Sequence, residues 1–581
     1  MTVEQLIVDK LDLWTSATTA KATSGRGRNG KLELTGLKKL RELILELAVR
    51  GKLVPQDPAD EPASVLLEKI AAEKGRLVKE GKIKKPKALP ELGEDEKPFD
   101  SPDGWMYCRL NEIGTWGSGA TPRRGISEYY DGDIPWFKSG ELSEDFISIS
   151  EETITEKALK ETSVRLNSPG YVLIAMYGAT IGKSSILKVQ ATTNQAVCAC
   201  TPWKGIYNLF LLQLLKAYKS RFIGMGAGGA QPNISREKII ATVIVLPPTS
   251  EQRRIVEKVD ELMGLCDRIE TRTLDHLAAH ETLVNTLLDT LTQADSAAAL
   301  ADNWGRLAAH FDTLFTTEHS IDRLKQTILQ LAVMGRLVSQ DPTDEPASVL
   351  LEKITAEKAR LVKEGKIKKP KVLAAIGEVE TPFEKPEGWT WIRLGDIGYI
   401  LGGATPSKEK PEFWNGDVPW ITPKDMKRDF IDSSTDYVTQ WGVHSSNLHE
   451  IPKDSLLLVV RGMILAHSFP TAINKLSVVI NQDMKALVFS GIDPRFILFL
   501  TKGFKGYFIG LVDRSSHGTC KLVSEKLWRT VLPLPPLAEQ HRIVEKVDAL
   551  MALCDQLKTR LAQADDTRRH LATALVDQAI Q

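Results

Sequence analysis

The sequence predicts an α+β protein with a pseudo-two-fold internal repeat, in which two α/β domains are carried on regions of long helix. Residues 47–87 return almost unchanged as residues 331–371. A joint made of a β-rich run, Pro-Pro and a long amphipathic helix begins at Leu246 and again at Leu534. Between these parts lie short β-rich runs broken by Gly, Pro and Asn, which are typical of compact domains with irregular loops. A repeat on this scale predicts one architecture built twice.

Composition narrows the class of protein. The chain has 581 residues, which corresponds to roughly three to four folding units at ~100–200 residues each. Lys plus Arg and Asp plus Glu both total 75, so the net charge neither indicates nor excludes a nucleic-acid partner. The absence of a long apolar run and of a leader pattern predicts no membrane span. Six scattered cysteines favour reduced thiols, and we expect a cytoplasmic protein.

Residues 1–100 predict an N-terminal helical region that ends in a basic linker. We expect a short helix over residues 1–20 and a flexible basic tether, KATSGRGRNGK, over residues 21–31. Apolar residues at helical spacing then predict helices over residues 37–47 and 63–79. The basic run GKIKKPK and an acidic, proline-dotted connector complete this region.

Residues 101–248 predict the first α/β domain, and residues 385–536 predict the second. In the first, the runs YVLIAM and TVIVL predict strands, and residues 208–219 predict a helix. The two domains share only scattered positions, of which Asn194-Gln195 and Asn481-Gln482 are one match. The helical parts are nearly identical between the copies.

The Pro-Pro joint organises the chain. Pro247 and Pro248 end the preceding strand because proline lacks a ladder donor. Thr249, Ser250 or the residues beside them can cap the following helix, and Glu251 suits its positive end. In both copies of this helix, apolar residues recur at steps of four and three, which predicts a seam packed along another helix. The seam residues are Ile255, Val259, Leu262 and Cys266, and in the second copy Ile543, Val547, Leu550 and Cys554. We expect the two stripes to pack in one helical frame, with Leu262 and Leu550 buried and the flanks of the seam exposed for docking of partners.

Residues 249–384 predict a central helical region, and residues 537–581 predict a C-terminal helix. Within the central region, residues 293–303 form an Ala/Asp-rich link before a helix around residues 307–314. Helical regions that are nearly identical in the two copies, which we call the helical frame, indicate two equal partners or one continuous scaffold. Domains that differ indicate two different targets, whereas the alternative is duplication followed by drift of the loops.

Two motifs that suggest catalysis are incomplete. The segment Gly178–Ser184 has three residues, not the four of a nucleotide-binding loop, between its first glycine and Gly-Lys, so we interpret it as a tight turn. The segment Phe222–Gly226 loosely resembles the cofactor loop of an adenine methyltransferase. Both Pro-Pro pairs, however, lack the amide or acid before them and the aromatic after them that such an enzyme needs. We therefore predict no catalytic residue and no metal ligand in this chain.

Basic and amide side chains near the Gly-rich loops are candidates for contact with DNA. Lys and Arg bind phosphate or guanine, and Asn and Gln match adenine edges. The basic runs 79–87 and 363–371 each precede a domain. Two interpretations of them stay open: contact with DNA phosphate, or an ordinary solvent-exposed surface. The individual candidates are Arg123, Arg124, Lys138, Lys183, Gln231, Asn233, Lys408, Lys424, Arg461, His517 and Lys521.

Several motifs occur in a specific order along the chain. They are Gly132-Asp-Ile-Pro-Trp136 and Gly416-Asp-Val-Pro-Trp420, the turn Gly178–Lys183 with Asn194-Gln195, and the repeated Leu-Pro-Pro-x-x-Glu-Gln with its helix. Together they resemble the specificity subunit of a type I restriction-modification enzyme over essentially the whole chain. The second copy departs at Arg461-Gly-Met-Ile-Leu, which replaces the glycine turn, so the resemblance does not extend a role of Lys183 to that copy.

The resemblance implies two target-recognition domains separated by two conserved long-helix regions that form an antiparallel coiled coil. Each domain reads one half of a bipartite, asymmetric site on double-stranded DNA. Two modification (methyltransferase) subunits dock on the helices, and restriction (translocase/nuclease) subunits complete the assembly. No cofactor is expected on this chain, because S-adenosylmethionine, ATP and Mg are expected on the partner subunits.

The mechanism that we expect is positional. A helix from about Glu251 to Leu291 would be roughly 60 Å long at ~1.5 Å per residue. It could fix the spacing of two DNA-reading domains whose half-sites lie about a helical turn apart, ~34 Å. Two alternatives from other classes are a self-contained DNA-modifying enzyme with an unrecognised active site and a coiled-coil scaffold unrelated to DNA.

Overall fold

The chain folds into two compact units. The computed structural model describes residues 3–20, 32–83, 89–226, 232–369, 375–377, 380–514 and 520–580. Unit 1 comprises Met1–Asp275 and Ala564–Gln581, and unit 2 comprises His276–Gln563. Each unit contains one α/β domain, and two 44-residue helices each begin in one unit and end in the other. The predicted α+β class, the internal repeat and the long helices are confirmed.

Unit 1 contains the N-terminal helices and the first α/β domain. The helices that begin in its described part are α1 (Val3–Asp9), α2 (Leu11–Ser16), α3 (Thr35–Val49), α4 (Ala63–Lys79), α5 (Leu110–Ile113), α6 (Glu156–Glu161), α7 (Asn208–Ala217), α8 (Lys219–Gly226), α9 (Arg236–Ala241) and α10 (Thr249–Thr292). The strands are β1 (Thr18–Ala20), β2 (Leu32–Leu34), β3 (Met106–Arg109), β4 (Gly114–Ser118), β5 (Tyr130–Phe137), β6 (Phe146–Ile147), β7 (Glu152–Ile154), β8 (Val172–Ala175), β9 (Ser184–Leu187), β10 (Thr192–Thr193), β11 (Val197–Pro202) and β12 (Val243–Leu246).

Unit 2 repeats this plan. The helices that begin in its described part are α11 (Ala297–Ala309), α12 (Phe311–Leu314), α13 (Glu318–Val333), α14 (Ala347–Lys363), α15 (Gln440–Ser445), α16 (Pro494–Gly503), α17 (Lys505–Gly510), α18 (Ser524–Trp528) and α19 (Leu537–Ile580). The strands are β13 (Thr390–Arg393), β14 (Gly398–Gly402), β15 (Trp414–Ile421), β16 (Phe430–Ile431), β17 (Asp436–Val438), β18 (Leu456–Val459), β19 (Thr471–Asn474), β20 (Val479–Ile480), β21 (Met484–Phe489), β22 (Val512–Arg514), β23 (Cys520–Leu522) and β24 (Val531–Leu534).

The sheets of the two domains have the same topology. In the described part of unit 1, a five-stranded sheet has the order β4-β11-β8-β9-β6 and a three-stranded sheet has the order β10-β5-β7. Unit 2 has the matching orders β14-β21-β18-β19-β16 and β17-β15-β20. In each domain the first and last strands pair antiparallel, β3 with β12 and β13 with β24. The chain therefore enters and leaves each domain side by side, next to the Pro-Pro joint.

In unit 1, α3 lies antiparallel to the first part of α10. Arg41, in the first half of α3, binds Asp267 at 2.7 Å. Gln56, beyond the end of α3, donates to Glu251 in the first turn of α10 at 3.2 Å. The end of α3 therefore lies beside the start of α10.

The last turns of α19 run alongside α3 in unit 1. Arg50, at the end of α3, donates to the carbonyl oxygen of Ile580 at 3.3 Å. Arg569, earlier in α19, contacts Thr19 at 3.3 Å, and Thr19 pairs with the strand that precedes α3. The end of α19 is consequently parallel to α3 and antiparallel to the start of α10.

Unit 2 has the same arrangement with the two long helices exchanged. Lys558 of α19 binds Asp322 near the start of α13 at 2.9 Å, and Gln340, beyond the end of α13, donates to Glu539 at 3.1 Å. The start of α19 is therefore antiparallel to α13.

The end of α10 follows α13 in the same direction. Arg323 donates to Asn285 at 2.8 Å, and Arg336, further along the chain, donates to the carbonyl oxygen of Thr292 at 3.0 Å. Within both units, α10 and α19 are thus antiparallel, as the resemblance implied.

The predicted seam lies in two separate hydrophobic cores. Ile255, Val259, Leu262 and Cys266 are at most 2% exposed in the core of unit 1. In unit 2, Ile543, Val547 and Cys554 are at most 3% exposed, whereas Leu550 is only partly buried at the edge of the core. The expectation that the two stripes pack in one shared frame, with Leu550 fully buried, was wrong because each stripe packs within its own unit. Buried side chains hold the helices in place and are not available for contact with a docked partner.

Three local predictions differ from the structure or lie outside it. Within the predicted helix of residues 1–20, residues 3–20 form two short helices and a strand, because α1 ends at Asp9 and α2 begins at Leu11. The tether at residues 21–31 lies outside the described residues. The link at residues 293–303 is partly helical, since Ser296 caps α11 by accepting from the backbone N–H of Ala299 at 3.1 Å.

Among the described residues, none of the helices combines the length and the apolar character needed to span a membrane. All six cysteines are buried.

Candidate nucleic-acid interface

A buried Glu-Gln pair attaches the first domain to its long helix. Glu251 is 1% exposed and accepts hydrogen bonds from Trp105 Nε1 at 3.0 Å and from Gln56 Nε2 at 3.2 Å. Gln252 is fully buried and accepts from the backbone N–H of Tyr207 at 2.8 Å. Glu251 and Gln252 therefore hold three parts of unit 1 to the first turn of α10: the start of the domain, the start of α7, and the segment that follows α3. We call this set of contacts the clamp.

The second domain has the same clamp. Glu539 accepts from Trp389 Nε1 at 2.9 Å and from Gln340 Nε2 at 3.1 Å. Gln540 accepts from the backbone N–H of Asp493 at 3.0 Å. The repeated Glu-Gln of the joint thus has a structural role, which holds each domain in a defined orientation on its own helix.

Burial sets the electrostatics of the clamp. It raises the pKa of Glu251 and of Glu539, since the charged carboxylates lose water, and the hydrogen bonds from the Gln and Trp side chains oppose this rise. Thr249 and Ser250, two of the expected caps, do not cap the helix with their side chains. The Thr249 hydroxyl donates to the carbonyl oxygen of Gly205 at 2.9 Å, and the Ser250 hydroxyl donates to Asp60, so both bind residues outside the helix.

Two of the candidate basic residues meet on one carboxylate of domain 1. The guanidinium of Arg124 lies over the rings of Tyr130, at 4.8 Å, and Trp136, at 5.1 Å. It binds Glu152 at 2.5 Å, and Lys138 Nζ binds the same carboxylate at 3.0 Å. Hydrogen bonds from Arg124 and Lys138 hold the pKa of Glu152 below its ordinary value. Part of the charge of these two candidates is therefore neutralised within the domain.

The glycine segment Gly178–Ser184 is a tight turn, as predicted. Gly178 and Gly182 have positive φ angles of +62° and +78°, which favour glycine. The carbonyl oxygen of Lys183 accepts from the backbone N–H of Ala175 at 2.8 Å, and the Lys183 side chain is half-buried. The segment Phe222–Gly226 belongs to α8, so it does not form a cofactor loop.

Three further candidates, Asn233, Arg461 and Lys521, take part in bridges just beyond the central strand of each five-stranded sheet. In unit 1, Tyr177 follows β8 and forms an antiparallel bridge with Asn233. In unit 2, Arg461 follows β18 and forms an antiparallel bridge with Lys521. Tyr177 is 43% exposed, and the other three residues are exposed. We call Tyr177 and Asn233 the first pair, and Arg461 and Lys521 the second pair.

The remaining candidates are spread over other loops or lie outside the structure. Arg123, Lys408 and Lys424 are exposed loop residues. Gln231 and His517 lie outside the described residues.

Sequence reasoning missed an exposed Thr–Gln contact in each domain. The Thr121 hydroxyl contacts Oε1 of Gln195 in unit 1, and the Thr405 hydroxyl contacts Oε1 of Gln482 in unit 2. Both glutamines are exposed. The match of Asn194-Gln195 with Asn481-Gln482 was the available signal, because an exposed amide kept in both copies points to a shared contact outside the domain.

Metal ligation has no geometric support within the described residues. No group of three or more His, Cys, Asp or Glu side chains gathers there in a metal-binding arrangement.

Comparison with known proteins identifies the family. The chain matches the family described as Type I restriction modification DNA specificity domain over residues 102–279 and 386–564. It is 40% identical to the type I restriction enzyme EcoAI specificity subunit of Escherichia coli and 38% identical to the EcoEI specificity subunit of the same species; both comparisons cover 100% of each chain. The crystal structure of the HsdS subunit from Thermoanaerobacter tengcongensis aligns with 84% of this chain and 98% of that chain, at 17% identity and a TM-score of 0.39. The chain belongs to the family of type I restriction-modification specificity subunits.

Proposed function

We propose that this chain is the DNA sequence-recognition subunit of a type I restriction-modification complex, and that each α/β domain reads one half of a bipartite, asymmetric site on double-stranded DNA. The observation that carries this proposal is that the two domains share one sheet topology but expose different side chains at the same place. The two domains have the same strand orders, yet one holds Tyr177 and Asn233 where the other holds Arg461 and Lys521. The two domains therefore share one scaffold but expose different side chains, which supports the recognition of a different DNA sequence by each domain.

Two modification subunits dock on the helical frame in this proposal. Exposed ion pairs of α4 recur in α14, which supports two like partners. Arg76 binds Glu73 at 2.7 Å in α4, and Arg360 binds Glu357 at 2.6 Å in α14. Exposed side chains need not match for folding alone, since most surface substitutions change stability by less than ~0.5 kcal/mol. Restriction subunits join this assembly.

The chain itself contributes recognition and positioning, whereas its partners carry out the chemistry. S-adenosylmethionine binds the modification subunits, ATP and Mg bind other partner subunits, and no cofactor binds this chain. The incomplete motifs at Gly178–Ser184 and Phe222–Gly226 support this division, because the first is a tight turn and the second lies in a helix.

The long helices set the spacing between the half-sites. Helices α10 and α19 each have 44 residues, which corresponds to about 66 Å at ~1.5 Å per residue. The buried clamps at Glu251 and Glu539 support this role, because each holds the start of a long helix to its domain.

Methylation mapping tests the proposal. The full chain, purified with its modification subunits, would methylate DNA of random sequence, and sequencing would locate the methylated bases. We expect two half-sites separated by a fixed spacer. Replacing residues 105–246 with the corresponding segment of another family member should change one half-site, and replacing residues 389–534 should change the other.

The opposite outcomes separate the alternatives. If both half-sites change in either replacement, the two domains do not read independently. Methyl transfer by the chain alone would identify a self-contained enzyme. Retention of all DNA sequences equally, with modification subunits present, would identify a scaffold.

A further inference from the structure

The first pair has a defined backbone geometry at the end of β8. The backbone N–H of Gly178 donates to the carbonyl oxygen of Pro232 at 2.8 Å, and the N–H of Ile234 donates to the carbonyl oxygen of Met176 at 2.9 Å. These two bonds flank the bridge between Tyr177 and Asn233, so the pair itself is of the type without mutual hydrogen bonds. In such a pair the two side chains stand close together on one face.

The second pair has the same geometry at the end of β18. The N–H of Gly462 donates to the carbonyl oxygen of Cys520 at 3.0 Å, and the N–H of Leu522 donates to the carbonyl oxygen of Val460 at 2.9 Å. The backbone bonds around the pair are thus the same in both domains. One domain presents a phenol and an amide from this position, and the other presents a guanidinium and an ammonium.

The Thr–Gln contact lies beside each pair. The N–H of Met176 donates to the carbonyl oxygen of Ala196 at 2.8 Å, and Ala196 follows Gln195. In unit 2, the N–H of Val460 donates to the carbonyl oxygen of Asp483 at 2.8 Å, and Asp483 follows Gln482. Each domain therefore places an exposed amide that is identical in both copies next to an exposed pair that differs.

We propose that the first and second pairs read base edges, and that the adjacent Gln195 and Gln482 bind the DNA backbone. The inference rests on the proposed function. Phosphates and sugars are the same at every sequence, so residues that bind them can be identical in two domains with different targets. Residues that read bases must differ. With its Oε1 turned to a threonine hydroxyl, each glutamine keeps its Nε2 donors for an anionic oxygen.

The chemistry of each pair assigns a class of base pair to its half-site. The Asn233 amide has one donor side and one acceptor side, which match N7 and N6 of adenine. Arg461 and Lys521 offer donors only, which match O6 and N7 of guanine. Arg461 Nη1 lies 3.7 Å from Asp483, which orients the guanidinium. Unit 1 therefore requires an A·T pair, and unit 2 a G·C pair, at the position that each pair contacts.

Exchange of the two pairs tests this assignment in the full chain with its modification subunits. The variant Tyr177→Arg with Asn233→Lys should change the base preference of the unit 1 half-site at one or two positions, from A·T toward G·C. The variant Arg461→Tyr with Lys521→Asn should change only the other half-site, away from G·C. A bidentate contact to one base corresponds to roughly 5- to 150-fold discrimination, which methylation mapping on random DNA resolves. By contrast, Gln195→Ala should weaken methylation of all sequences alike and leave base preference unchanged.

A matched control separates base reading from simple loss of charge. Lys453 is exposed before the opposite end of β18, so Lys453→Asn should leave the site unchanged, whereas Lys521→Asn should relax one position of it. Thermal melting would show whether a double variant fails to fold. The single variants Lys453→Asn and Lys521→Asn change only exposed side chains, so they still test the inference in that case. Uniform weakening by Arg461 and Lys521 variants, with no change in base preference, would overturn the inference and identify phosphate contacts. If the wild-type chain yields no bipartite site at all, the proposed function fails instead.

Discussion

Trp105 donates its indole N–H to Glu251 at 3.0 Å, across 146 residues of the chain. Trp389 and Glu539 repeat this bond at 2.9 Å, across 150 residues. Each bond joins the residue that opens a domain to the first turn of the long helix that follows it. Since the first and last strands of each domain also pair, the start and the end of the domain both lie at the first turn of its helix.

Removal of the clamp carboxylate should destabilise unit 1. Glu251→Ala leaves Trp105 Nε1 without its acceptor in a buried site and removes one acceptor of Gln56, and an unsatisfied buried polar group costs about 1–3 kcal/mol. We expect a lower midpoint of urea unfolding. Glu539→Ala should have a similar effect through Trp389. Glu257→Ala, at an exposed position of the same helix, is the control, and an equal loss in this control would contradict a specific clamp.

The ion pair of Asp60 with Arg254 should stabilise the protein in a pH-dependent way. Arg254 binds Asp60 at 2.7 Å, and its hydrogen bond is the main cause that lowers the pKa of Asp60 below 3.8. A folded-state pKa below the unfolded value gives stability that is present above the unfolded pKa and is lost as pH falls through the folded pKa. Asp60→Asn should therefore be less stable than wild type at pH 7, and the gap should shrink as the pH falls below 3.8. Denaturant titrations at several pH values measure this gap, with the exposed Asp103→Asn as control; a gap that stays constant with pH would contradict the ion-pair origin.

The two equivalent seam leucines should differ in their contribution to stability. Leu262 is 1% exposed in its core, whereas Leu550 is partly buried at the edge of the other. Leu262→Ala should lower the free energy of unfolding by ~2–5 kcal/mol, the range for a buried leucine. Leu550→Ala should have a clearly smaller effect, and neither variant should change which bases are methylated. Melting of the two variants side by side checks the order; equal losses would mean that the two positions are packed alike.

Lengthening the long helices should change the spacer and not the half-sites. Because α10 and α19 are antiparallel, four residues would be added to both, after Ile269 and after the equivalent Leu557. Four residues add about one turn and ~6 Å, which is close to two base pairs of DNA. Methylation mapping should then show the same two half-sites with a longer spacer. Altered half-sites with an unchanged spacer would exclude the helices as the element that sets the distance.

Much of the architecture could be predicted because it depends on neighbouring residues. Apolar spacing predicted α3, α4, α7 and both long helices, since three or four residues define one face of a helix. The tight turn at Gly178–Ser184 could be predicted from its glycines. The break between α1 and α2 at Lys10 was missed, because the apolar pattern of residues 1–20 continues across it.

The candidate site was predictable only in part. Arg461 and Lys521 were named from their residue types, but nothing local to either indicates that they face each other, because 60 residues separate them. Tyr177 was missed for the same reason, since its relation to Asn233 exists only in the folded sheet.

The sequence by itself determined the repeat, the fold class, the two long helices and the family, because these depend on local periodicity and on identity between the two copies. The tertiary structure decided which residues those elements bring together. In the folded protein the two seam stripes lie in two separate cores, and the glutamate of each joint is buried against a tryptophan and a glutamine. Each domain also places an exposed pair that differs between the copies beside a glutamine that is the same in both. Each of these contacts joins residues far apart in the chain. Such contacts follow from the packing of whole elements, which no short stretch of sequence specifies.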